Sequence, residues 1–168
     1  NFLGTEVESA RCVRMLPFLL SALAQRPDLE VQVDWRPYQL NPDMPREGVD
    51  RKTYLEAKFG GPERAQQIYD RIRDAGAEEN IDFDFARIPK TPNTLDSHRL
   101  IRWAGSAGVQ DLVVERLFQA YFENGEDIGD RQVLLAIAEE AGMDRGLVAD
   151  LLEDEADTDL IRKEDTLA

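Results

Sequence analysis

Residues 30–36 read Glu30-Val31-Gln32-Val33-Asp34-Trp35-Arg36, and their reading decides the fold. Val31, Val33 and Trp35 fall on one side of an extended chain, Gln32 and Asp34 on the other. Side chains alternate faces along a strand, so the stretch predicts a half-buried strand. The only other strict alternation, Ile81-Asp82-Phe83-Asp84-Phe85, is short and reads as an extended connector. One strand makes no sheet. Either this is an all-helical protein with a stray strand, or the partner strands lie outside the sequence. The second is the expectation, because the valines suit burial in a sheet and the chain stops in helical text at Leu167-Ala168.

Helices are expected on both sides of this strand. Before it, Val13, Leu16, Leu20 and Leu23 form an apolar stripe over 13–25, with Pro17 kinking the helix. After it, Asn41-Pro42-Asp43-Met44-Pro45 is a rigid loop. Asp50 can cap a helix running to Phe59, which Gly60-Gly61 ends, and Pro62 opens the next at the favoured first position. Ala65, Ile68, Ile72 and Ala75 give that helix its stripe, and Gly76 weakens its end. Thr91-Pro92-Asn93-Thr94-Leu95-Asp96 is a helix start, with Asn93 as cap and Leu95, His98 and Ile101 on an inward face. Val113, Val114, Leu117, Phe118 and Tyr121 build another helix, stopped by Asn124-Gly125. Asp130 and Asp144 cap two more, and the acidic tail is helix-prone. Trp35, Trp103, Phe118 and Tyr121 are expected in the core.

The composition excludes several functions. The chain has 168 residues, 42% hydrophobic and 32% charged, enough for one domain with a real core. The net charge of −14 repels phosphates, which argues against a nucleic-acid partner and otherwise serves solubility. The longest apolar run, residues 15–24, is interrupted by Pro17 and Ser21 and is too short to span a bilayer, so no membrane role is expected. No phosphate-binding or dinucleotide fingerprint occurs. One cysteine and one histidine permit no internal disulfide and none of the common zinc sites, so no metal is expected.

Four segments in order carry a resemblance. They are residues 35–45 (Trp-Arg-Pro-Tyr-Gln-Leu-Asn-Pro-Asp-Met-Pro), 54–61 (Tyr-Leu-Glu-Ala-Lys-Phe-Gly-Gly), 92–104 (Pro-Asn-Thr-Leu-Asp-Ser-His-Arg-Leu-Ile-Arg-Trp-Ala), and 117–122 with 127–130. From Val33 to Asp144 the chain resembles the FrnE-like branch of the DsbA superfamily, related to 2-hydroxychromene-2-carboxylate isomerases and kappa-class glutathione transferases. The resemblance implies an α/β, thioredoxin-like fold with a large inserted helical subdomain. Residues 1–48 would be the N-terminal part of the thioredoxin-like half, 49–142 the helical insertion, and 143–168 a helical return. The family's closing strands, with a cis-proline loop, would follow residue 168.

Such proteins carry a Cys-x-x-Cys pair where their first helix begins. Helix N–H groups and the dipole lower a thiol's pKa there, and the thiolate is the attacking species. The second cysteine resolves the mixed disulfide. Aligned on Ala22-Leu23-Ala24, Cys12 takes the place of the second cysteine, and Pro17 follows it by the usual five residues. Ser9 then stands where the first belongs. Three readings stay open: a natural divergence toward a non-redox or glutathione-type site, an engineered replacement, or a false alignment over a joined segment. A plain buried thiol is the alternative for Cys12.

Four further residues are candidates for substrate binding. Arg36 and Asn41 follow the strand that would border the cleft, although Pro37 and Pro42 could simply anchor a loop. Asn93 sits at a helix start that approaches the ligand in the isomerase and transferase relatives; a helix cap explains it equally. His98 titrates in a useful range, and its plainer role is a hydrogen-bonded boundary histidine.

The resemblance implies a thiol–disulfide oxidoreductase acting on protein or small-molecule thiols. It would need no cofactor, with glutathione as a candidate substrate or ligand. A glutathione-dependent isomerase or transferase, and a non-catalytic binding module, are the alternatives. A cytoplasmic homodimer is the expected setting.

Overall fold

The computed structural model describes residues 25, 26, 28, 35–78 and 80–167. Ser9, Cys12, the expected helix over 13–25 and most of the expected strand lie outside the described residues.

Among the described residues the only ladder is antiparallel and minimal. β1 (Val49–Asp50) pairs with β2 (Lys90–Thr91), Val49 opposite Thr91 and Asp50 opposite Lys90. Seven helices accompany it: α1 (Arg51–Phe59), α2 (Pro62–Ala77), α3 (Leu95–Ala107), α4 (Gln110–Phe122), α5 (Arg131–Glu140), α6 (Arg145–Glu153) and α7 (Thr158–Leu167). A 3₁₀ turn, Phe85–Arg87, lies within the connector between α2 and β2.

Local chemistry sets these boundaries. Asp50, Asp130 and Asp144 each accept a backbone N–H in the first turn, from Thr53, from Gln132 and Val133, and from Leu147. Each cap removes an orphan donor and is worth about 1 kcal/mol. Gly60 ends α1 at φ +75°, a left-handed cap that a Cβ would strain. Gly76 lies one residue short of the end of α2. The helix runs on to Ala77, and a Cβ at Gly76 would lie 2.5 Å from the Phe83 ring. The glycine serves the close packing of the connector.

Two apolar clusters form the interior. The larger joins α3, α4, α5 and α6 through Leu100, Val113, Leu117, Leu134, Ala138 and Val148. The smaller is aromatic and gathers Phe59, Tyr69, Phe83, Phe85, Tyr121 and Phe122 around α1, α2 and the connector. Tyr69 and Phe85 stack at 4.5 Å, and Phe83 meets Phe122 edge-on at 5.8 Å. Tyr121 and Trp103 are core residues, as the sequence predicts.

Trp35 departs from expectation. Only Trp35 and Arg36 of the expected strand are described, and neither is in a ladder. Trp35 is half-buried against helices. Its ring N–H donates to Asp111 Oδ1 at 2.7 Å and its backbone N–H to Gln110 Oε1 at 3.4 Å. An indole with a polar edge settles where that edge finds a carboxylate.

Two buried guanidiniums fasten the helices. Arg51 opens α1 and donates to the hydroxyls of Tyr121 at 2.8 Å and Tyr69 at 2.9 Å, joining α1 to α4 and α2. Arg99, fully buried in α3, donates to the carbonyls of Ala156 and Leu151 and to Asp96 Oδ1. Its guanidinium carbon lies 5.0 Å from the centre of the Trp103 ring. These bonds hold the turn that sets α7 against α3.

Candidate functional site

The loop after Trp35 is clasped by helices. Met44 N–H donates to the Asn41 carbonyl at 3.1 Å, closing a turn. Asn93 then bridges: its Nδ2 donates to the Met44 carbonyl at 2.6 Å, and its Oδ1 accepts the Leu95 N–H at 2.9 Å. Thr94 holds the N-cap position by geometry, yet the Asn93 side chain does the capping. From the other side, the Gln39 N–H donates to Asp165 of α7.

Between this loop, the start of α3 and α7 lies a groove of about 470 Å³, with Gln39, Asp43, Arg46, Asn93, Asp96, Arg162 and Asp165 on its walls. Both arginines are engaged within the chain. Arg46 pairs with Glu155 and lies 3.7 Å from Asp96, and Arg162 lies 3.6 Å from Asp159. The Glu155 carboxylate pushes the Arg46 pKa up, and the guanidinium draws that of Glu155 down.

A second pocket, about 260 Å³, is walled by Trp35, Pro37, His98, Ile101, Ser106 and Gln110, with the Arg102–Glu164 ion pair at 2.7 Å beside it. Burial lowers the His98 pKa to about 4, against smaller upward pulls from Asp165 and the Tyr38 carbonyl. The imidazole is therefore neutral at neutral pH. Asp165 touches both places, lining the groove and acting on His98.

The structure brings Asn41 and Asn93 to one turn through Met44 and sets His98 in the neighbouring pocket. Asn41 Oδ1 also accepts the Tyr54 hydroxyl at 3.0 Å. Arg36 is exposed and lines neither depression described. Ser9 and Cys12 lie outside the described residues. The inward face of α3 is deepest at Ser97, Arg99, Leu100, Trp103 and Ala104, and the expected Leu95–His98–Ile101 face is only half-buried. Gln39, Arg46, Arg162 and Asp165 build the groove without any signal in sequence spacing. Among the described residues no cluster of metal-ligating side chains occurs, and no helix is long and apolar enough to cross a membrane.

Comparison with known proteins adds the frame. A family model described as DSBA-like thioredoxin domain matches residues 6–168. The uncharacterised protein YwbO of Bacillus subtilis is 24% identical over 134 residues, covering 80% of this chain and 63% of that protein. The crystal structure of a probable DsbA oxidoreductase from Streptomyces coelicolor superposes with a TM-score of 0.72 at 26% identity, covering 79% of this chain and 58% of that one. The chain thus spans about three-fifths of these relatives' lengths. Its fold is the DsbA-like thioredoxin fold, α/β with a helical insertion, of which the described residues are mostly the helical part. With a match that leaves out only the first five residues, the chain belongs to the DSBA-like thioredoxin domain family.

Proposed function

We propose that the protein is a thiol–disulfide oxidoreductase of the FrnE-like kind, acting on protein or small-molecule thiols. The observation that carries this reading is the family match from residue 6, a span that includes both Ser9 and Cys12. Cys12 is then the reacting thiol, and Ser9, three positions before it in sequence, takes the place of the family's first cysteine. A lone cysteine thiolate can attack a substrate disulfide, forming a mixed disulfide as the other sulfur leaves as a thiolate, and an external thiol must then resolve it, since there is no internal partner. Arg36, Asn41, Asn93 and His98 are assigned to the substrate side. The proposal keeps the division at 1–48, 49–142 and 143–168, a cytoplasmic setting and a homodimer.

Incubation of the chain with a reduced, disulfide-containing test protein and a glutathione redox buffer tests this. Faster recovery of the native test protein than with a Cys12→Ala variant is expected. Equal recovery by both chains overturns it.

Ser9 favours a second reading, in which the site holds glutathione for an isomerase or transferase reaction without redox chemistry. A thiol ligand needs a hydrogen-bonding hydroxyl and not a cysteine pair. Glutathione titration with amide chemical shifts separates the two readings. Saturable shifts that persist in Cys12→Ala support this one, and no shift at millimolar glutathione removes it.

A further inference from the structure

The smaller pocket, about 260 Å³ and walled by Trp35, Pro37 and Ile101, has most of its polar groups engaged. Gln110 accepts the Trp35 N–H at 3.4 Å and donates to the Ile101 carbonyl at 3.2 Å. Arg102 and Glu164 pair with each other. Ser106 lies at the exposed edge. His98 is the exception. A neutral imidazole has one donor nitrogen and one acceptor nitrogen. The donor faces the Tyr38 carbonyl. The acceptor meets no donor among the described residues, and it is not one of the polar atoms sealed from solvent without a partner, so it opens into the pocket.

Size and charge narrow the guest. A dry cavity of about 150 Å³ takes benzene, so this pocket has room for a substituted or fused ring. An acceptor nitrogen calls for an N–H or O–H on that ring. The burial that keeps His98 neutral also penalises any other charge set beside it. Asp165 and the net charge of −14 repel anions in addition.

We infer that this pocket binds a small uncharged aromatic molecule carrying an N–H or O–H donor, which the free nitrogen of His98 receives while Trp35, Pro37 and Ile101 pack against the ring. The inference goes beyond the thiol-exchange reading and shares with it only the assignment of His98, since the pocket needs neither Cys12 nor Ser9.

The test titrates the isotope-labelled chain at neutral pH with indole, which has the donor, and with N-methylindole, which lacks it, following the His98 ring nitrogens. Saturable movement with indole is expected, and N-methylindole is expected to bind about fivefold more weakly. Ser106→Trp sets a large ring at the exposed edge and is expected to weaken both ligands. His98→Phe is expected to bind the two equally, with an unchanged backbone amide spectrum as the check on folding. Unmoved His98 signals at millimolar indole, equal affinity for the two ligands in the unaltered chain, or undiminished binding in Ser106→Trp overturns the inference. Indole binding without refolding activity leaves the pocket and removes the thiol role. Refolding activity without indole binding does the reverse.

Discussion

Arg99 Nε donates to the carbonyl of Ala156 at 2.6 Å, tying the middle of α3 to the turn between α6 and α7. The same side chain reaches Leu151 O at 2.5 Å, so one guanidinium satisfies carbonyls on both sides of the α6 terminus. Glu155 and Asp157 in that turn have positive φ, a conformation that must be held by its surroundings.

Arg99→Met is therefore expected to cost about 3 kcal/mol in urea unfolding, because it orphans the Ala156 carbonyl, leaves the Leu151 carbonyl with only the Ala156 N–H, and leaves Asp96 with only the more distant Arg46. Arg99→Lys is expected to recover little, since an ammonium cannot reproduce the planar fork. A loss under about 1 kcal/mol in Arg99→Met would show that the turn holds itself.

Asn93→Ala removes the bond to Met44 O and the cap on Leu95 N–H together. A loss of about 1–2 kcal/mol is expected. Faster hydrogen exchange at the Leu95 amide, which loses its acceptor, should accompany it. Unchanged exchange at Leu95 together with unchanged stability would contradict the bridging role.

His98 gives a pH dependence with a defined window. Its unfolded pKa lies near 6.5 and its folded value is about 4, so the unfolded chain binds the proton first. Stability falls as pH drops from 6.5 toward 4, by on the order of 2–3 kcal/mol, and this contribution is flat below. Chemical denaturation at stepped pH measures it. His98→Gln should flatten the slope in that window, and an unchanged slope would assign it to other groups.

Gly76→Ala sets two effects against each other. Helix propensity favours alanine by up to about 1 kcal/mol. The added carbon would meet the Phe83 ring at 2.5 Å, and Phe83 is 2% exposed with no room to retreat. Overpacking costs about 1–3 kcal/mol, so net destabilisation is expected. A higher melting temperature would show that the connector yields.

The sequence carried much of the fold because its signals were local. Asp50, Asp130 and Asp144 announce helix starts, and Gly60 and Gly125 announce stops, each within a few residues of the bond it makes. The buried arginines were invisible for the opposite reason. Arg51 depends on Tyr69 and Tyr121, and Arg99 on carbonyls more than fifty residues away. An arginine without its distant partners reads as surface. Trp35 was read from alternation alone, while the Gln110 and Asp111 side chains that receive its N–H groups lie 75 and 76 residues away. Asn93 was identified as a cap from its own turn, while its hold on Met44 spans 49 residues. Gln39, Asp165 and Arg162 meet only through the docking of α7 on the loop, which no spacing encodes.

Helix α4 lends Val113 and Leu117 to one cluster and Tyr121 and Phe122 to the other. It is a party wall between two rooms. Swelling or shrinking a residue on either face shifts the same rod, so neither room can be refurnished alone. Sequence drift among relatives should then run in step across this helix, with volume gained on one side matched on the other.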